Sequence, residues 1–101
     1  MSMQTDILAS RARTDDGQLL DQAGNTIGRC RVRSIYIVPD SSAGSVVFRD
    51  GGATGPVKLT VPTMASTAWP AYLLLPAEGL LFQSDIYVDV TTITSVMVFY
   101  S

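Results

Sequence analysis

Apolar residues in this chain recur at every second position, or in short runs closed by Gly, Pro, Asp and Ser, and no window sustains helical spacing over ten residues. The pattern predicts an all-β fold. Expected strands are Thr5 to Arg13, the quoted run R-C-R-V-R-S-I-Y-I-V from Arg29 to Val38, Ser45 to Arg49, Val57 to Val61, Ala71 to Leu75, Leu80 to Gln83, Ile86 to Val90 and Ser95 to Tyr100, with a short extra segment at Gln18 to Leu20. Pro39 closes the arginine strand because it has no N–H to give a ladder. D-G-G-A-T-G between Ser45–Arg49 and Val57–Val61 reads as a hairpin loop, its glycines permitting positive φ. P-T-M-A-S-T-A-W-P is too irregular for a strand and reads as a crossover between sheets. About eight short strands in one domain fit a single-domain antiparallel β-sandwich or jelly-roll-like barrel spanning residues 1–101, with 1–4 as a flexible arm.

Phase assigns faces to these strands. Ile86, Val88 and Val90 share one face, while Asp85, Tyr87 and Asp89 share the other, as in a strand with one wet side. The last strand is apolar on both sides, with Val96, Val98 and Tyr100 opposed to Met97 and Phe99. Either it lies centrally in a two-layer core or a second subunit covers Met97 and Phe99, which makes them candidate oligomer-interface residues. Arg29, Arg31 and Arg33 alternate along their strand, and Ile35 and Ile37 continue on the same odd positions. The expectation is a segment that is polar at a docking end and apolar where it enters the core.

Composition narrows the function. At 101 residues the chain makes one domain, and 47% apolar against 16% charged residues leaves a surface poorer in charge than the roughly 25% of an average chain. Net charge is −2, from seven basic and nine acidic residues, with no histidine. No bulk positive field is available for nucleic acid. The three alternate arginines, about 6.6 Å apart, therefore suggest either a cross-strand ladder with Asp85 and Asp89 or a contact with an acidic partner. Cys30 is the single cysteine, shares its strand phase with Val32 and reads as core. No signal peptide is expected at M-S-M-Q-T-D-I-L, and no apolar run is long enough for a membrane span.

Catalytic chemistry finds no purchase in the pattern. Cys30 and the serines have no histidine to activate them. Asp85 and Asp89 would stand about 13 Å apart on one strand, too far for paired glycosidase carboxylates. G-G-A-T-G-P-V-K lacks the Gly-Lys-Ser/Thr ending of a phosphate loop, and neither D-S-S-A-G-S nor D-G-G-A-T-G has the acidic density of a calcium loop. The expectation is no enzyme, no cofactor and no metal. Trp69 and Tyr72, in and just beyond the crossover, either plug one end of a sandwich or serve as loop-borne binding aromatics.

The runs S-I-Y-I-V-P-D-S-S-A-G-S-V-V-F-R-D-G-G-A-T-G and G-L-L-F-Q-S-D-I-Y-V-D-V-T-T-I-T-S-V-M-V-F-Y resemble small structural proteins of tailed bacteriophages, particularly marine and cyanobacterial podovirus-like phages. The resemblance covers roughly Arg31 to Tyr100 and consists of a β pattern without a catalytic signature. It implies a virion component assembled in the host cytoplasm: a capsid decoration or cement protein, commonly trimeric, bound to the major capsid protein or another virion protein. A small head- or tail-fibre-type attachment or carbohydrate-binding module is the alternative it leaves open. On the first reading Arg29, Arg31 and Arg33 are the candidate capsid-docking residues. On the second, Trp69 and Tyr72 are the binding aromatics.

Overall fold

The computed structural model describes residues 7–64, 71–75 and 79–101. Its strands, in chain order, are β1 Leu8–Ala9, β2 Gly17–Gln18, β3 Cys30–Pro39, β4 Gly44–Asp50, β5 Val57–Thr63, β6 Ala71–Leu74, β7 Leu80–Phe82, β8 Ile86–Thr91 and β9 Ile93–Tyr100. They form two antiparallel sheets, as the alternation predicts. One has the order β1-β9-β3-β6 with β7 also on β3, and the other has the order β2-β8-β4-β5. Val32, Ile35, Ile37, Val96 and Val98 of the first sheet share one core with Val46, Phe48, Val61, Ile86 and Val88 of the second. Both sheets end in edge strands, so the molecule is a sandwich of open sheets.

Several expected boundaries shift. Within the described residues the first strand is only Leu8–Ala9, and β5 runs on through Pro62 to Thr63, into what was expected to be irregular crossover. Pro62 is tolerated there because β5 is an edge strand. The expected T-T-I-T turn is tighter than a loop: Thr92 alone separates β8 in one sheet from β9 in the other. Thr92 makes this corner at φ 53, in the left-handed region that a β-branched residue rarely enters.

The arginine strand holds the main departure from simple alternation. Along β3 the buried positions are Cys30, Val32, Ser34, Ile35, Ile37 and Pro39, so the phase changes at Ser34–Ile35. Register explains the change. Val32 pairs with Tyr100 and Ser34 with Phe99, so two steps on β3 match one on β9, and Arg33 is the extra residue of a β-bulge. The expectation that Arg29, Arg31 and Arg33 share a face with Ile35 and Ile37 is therefore corrected. The bulge sends the arginines outward and the isoleucines inward although all occupy odd positions.

On the other edge of β3, β6 and β7 behave as one interrupted strand. Leu74 pairs with Ser34 and Leu80 with Val32, so the ladder is interrupted opposite Arg33. The Leu75 N–H donates to the Arg33 carbonyl at 3.0 Å where the chain departs. Gly79 brings it back at φ 89, where a Cβ would overlap the Val32 carbonyl oxygen.

The corner at Thr92 depends on a similar close approach. A Cβ on Gly44, the first residue of β4, would collide with the carbonyl oxygens of Thr91 and Thr92. Backbone cannot yield as a side-chain tip can. Gly44→Ala is therefore expected to cost about 2 to 3 kcal/mol in urea denaturation. Gly52→Ala, where a Cβ meets nothing within 4 Å, is expected to stay within about 0.5 kcal/mol of the parent.

Candidate functional site

The outward face of the five-stranded sheet carries most of the side chains singled out in the sequence. Rows across it follow from register: Tyr72, Tyr36 and Met97 form one, and Leu74, the Arg33–Ser34 bulge and Phe99 form the next. Leu81 and Arg31 continue the face, with Ser101 paired to Arg31 by two backbone hydrogen bonds. Neighbouring strands lie about 4.8 Å apart, so these side chains make a continuous surface. Its most exposed members are Leu74 at 75% and Tyr72 at 54%, while Tyr36, Met97, Phe99, Arg31 and Arg33 are half-buried.

The expected oligomer pair, Met97 and Phe99, thus shares one face with two of the three expected docking arginines and with Tyr72. The sequence alone presents these as separate patches. Arg29 is exposed at the end of this face, 3.5 Å from Gln83 through Nε to Oε1. Trp69 lies outside the described residues.

The expected ladder from Arg29 and Arg33 to Asp85 and Asp89 is not formed. Its members belong to different sheets, and both aspartates have other partners. Asp89 accepts from Arg49 at 2.7 Å on the outer face of the second sheet, a half-exposed pair contributing about 0 to 1 kcal/mol. Asp85 is buried rather than on a wet face. Its carboxylate accepts from Gln18 Nε2 at 2.9 Å, the Ile86 N–H at 2.8 Å and the Gly28 N–H at 3.3 Å, tying the first thirty residues to β8. Arg33 Nε donates to the Ser101 Oγ at 2.9 Å. Among the described residues Arg31 and Arg33 have no ionic partner.

A second carboxylate closes the same end of the sandwich. Asp50, at the end of β4, accepts the Gln83 and Ser84 N–H groups at 2.9 Å each and the Asp85 N–H at 3.4 Å, holding the loop by which the chain passes from β7 to β8. Desolvation pushes its pKa up, but the three N–H donors and Lys58 outweigh it and hold the carboxyl below its ordinary 3.8. Cys30 is buried nearby, and burial, reinforced by the negative fields of Asp85 and Asp50, pushes its thiol up to about 11. At neutral pH it is a thiol and a poor nucleophile.

Elsewhere, a depression of about 450 Å³ is lined by Thr14, Asp15, Asp16, Asp40, Val90, Thr92 and Ile93. Its acids are engaged locally: Asp15 pairs with Arg13 at 3.4 Å, Asp16 accepts the Val90 N–H at 2.7 Å and Asp40 the Ser41 N–H at 2.7 Å. Among the described residues no group of three or more His, Cys, Asp or Glu is placed to hold a metal ion. Compared with protein families, with characterised proteins and with solved structures, the chain has no match.

Two outcomes follow from the clamped end. Because the folded pKa of Asp50 is depressed, its contribution is complete above the ordinary carboxylate value and is lost as pH falls through the lower folded value. Urea midpoints measured from pH about 6 to about 2.5 are expected to fall in the parent and to fall less in Asp50→Asn, whose neutral amide has no such proton linkage. For Cys30, an aromatic disulfide reagent is expected to react slowly with the folded protein at mildly alkaline pH and fully once guanidinium unfolds it.

Proposed function

We propose that this chain is a non-enzymatic structural protein of a tailed-phage virion, a capsid decoration or cement protein that binds and stabilises the shell as an oligomer, with a trimer favoured. The observation that carries the reading is the outward face of the five-stranded sheet. Contiguous exposed apolar surface on a small domain marks an interaction site, and here it joins two aromatic rings from adjacent strands, a methionine, a phenylalanine and an exposed leucine. The rigidity of the support is consistent with a binding role, since the face is built on paired strands. Localisation in the virion follows from the resemblance of Arg31 to Tyr100 to phage structural proteins.

Tyr72 supports a second reading. More than half exposed beside Tyr36, it offers a ring on which a sugar can stack, as a host-attachment or carbohydrate-binding module requires. Signal on a glycan array that disappears with Tyr72→Ser would favour this alternative.

The decoration reading is tested by sedimenting the purified chain with expanded, undecorated capsids of the phage that encodes it, beside light scattering of the free chain over a dilution series. Saturable co-sedimentation is expected, with a free mass of three chains that survives dilution. Met97→Ser/Phe99→Ser is expected to weaken capsid binding by about tenfold or more. A parent chain that stays in the supernatant at saturating capsid overturns the proposal.

A further inference from the structure

The face has a charge signature that specifies its partner more narrowly than its apolar content does. The chain as a whole is acidic by two charges, yet the ionised side chains described on this face are all arginine. The opposite sheet neutralises its own charge, with Arg49 against Asp89 at 2.7 Å. Among the described residues neither Arg31 nor Arg33 forms an ion pair, and Arg33 donates to the Ser101 hydroxyl. The bulge sets this arrangement by placing Arg33 beside Ser34 across from Phe99, with its guanidinium on Ser101 beside Arg31.

Three occupants can be weighed against that signature. A second copy docked by a two-fold axis brings the same patch against itself, so the arginines of both chains enter one contact with no carboxylate between them. A second copy docked head to tail would have to present the acidic depression, whose carboxylates are already engaged by Arg13 and by backbone N–H groups and whose lining is mostly polar. Single-stranded nucleic acid would find rings to stack on, but two or three arginines on an acidic chain supply little of the phosphate neutralisation it draws on. Nor does Leu74, the most exposed member of the face, suit a nucleotide. An apolar polypeptide surface carrying carboxylates satisfies both halves.

We infer that the outward face of the five-stranded sheet docks a polypeptide of that chemistry: apolar or aromatic side chains against Tyr36, Tyr72, Leu74 and Phe99, and carboxylates onto Arg31 and Arg33. This deepens the decoration reading and rests on its assignment of the face as an assembly surface. It places the shell contact here and any contact between copies on another part of the molecule.

The test uses the intact chain and a surrogate polymer, random poly(Glu,Tyr), with poly(Lys,Tyr) and oligo-dT as contrasts, followed by amide chemical shifts. Poly(Glu,Tyr) is expected to shift residues of β3, β6 and β9. Its affinity is expected to fall about tenfold in Arg31→Ser/Arg33→Ser and, separately, in Tyr72→Ser/Leu74→Ser. It should also weaken as salt is raised. Both variants alter exposed or half-exposed positions, and an unchanged shift pattern elsewhere verifies their fold. No shift with poly(Glu,Tyr), a shift confined to other strands, or tighter binding of oligo-dT overturns the inference. So does loss of self-association in either variant, which would make a second copy the occupant. Capsid sedimentation separates this inference from the reading beneath it. Capsid binding that both variants retain sinks the inference and leaves decoration standing. A chain that binds poly(Glu,Tyr) through this face but never capsids sinks decoration and leaves the inference standing.

Discussion

One extra residue in one strand, Arg33 of β3, determines what the rest of the first sheet can do. Before the bulge the even positions Cys30 and Val32 face the core, and after it the odd positions Ile35 and Ile37 do. A strand of strict alternation would have had to bury arginines or expose isoleucines over half its length, and a buried unpaired guanidinium costs far more than a bulge. The same residue marks where β6 gives way to β7 on the opposite edge, because the Arg33 carbonyl is taken by Leu75 rather than by a continuing ladder. Both edges of the central strand are thus punctuated at one point, and the outer face acquires its positive charge there.

The two carboxylates at the other end of the chain's logic serve cohesion. Asp50 gathers the backbone of the β7–β8 loop, and Asp85 gathers Gln18, Gly28 and Ile86. Each also ties in backbone that lies outside the ladders, the Gln83–Asp85 loop for Asp50 and Gly28 for Asp85. A chain whose single cysteine excludes an internal disulfide uses carboxylate-to-amide hydrogen bonds, which are stronger than neutral ones, where small domains often use a covalent staple.

Much of the fold could be read from local pattern. The one wet face of Ile86 to Val90, the glycine-rich hairpin and the double apolar character of β9 each depend on near neighbours in sequence. The bulge leaves a trace in the pattern: Cys30 and Val32 are apolar on even positions, Ile35 and Ile37 on odd ones, and the three-residue step from Val32 to Ile35 is the phase change itself. The arginines and isoleucines, all at odd positions, mask it. Asp85 was illegible for another reason. Its partners Gln18 and Gly28 lie 67 and 57 residues away, so its alternation with Tyr87 and Asp89 suggested a solvated face that tertiary packing overrides. Of the site, the sequence supplied the residues but not their union on one surface, which only strand order creates.

β9 occupies an inner position of the first sheet, between β1 and β3, although it is the last strand of the sequence. Fifty-three residues separate Pro39, the end of β3, from Ile93, where β9 begins. At synthesis rates of about 5 to 20 residues per second, β3 exists for roughly 3 to 11 s before its longest partner has begun to appear. β6 and β7 can pair with β3 as they emerge, but the β9 edge of the central strand stays open for those seconds.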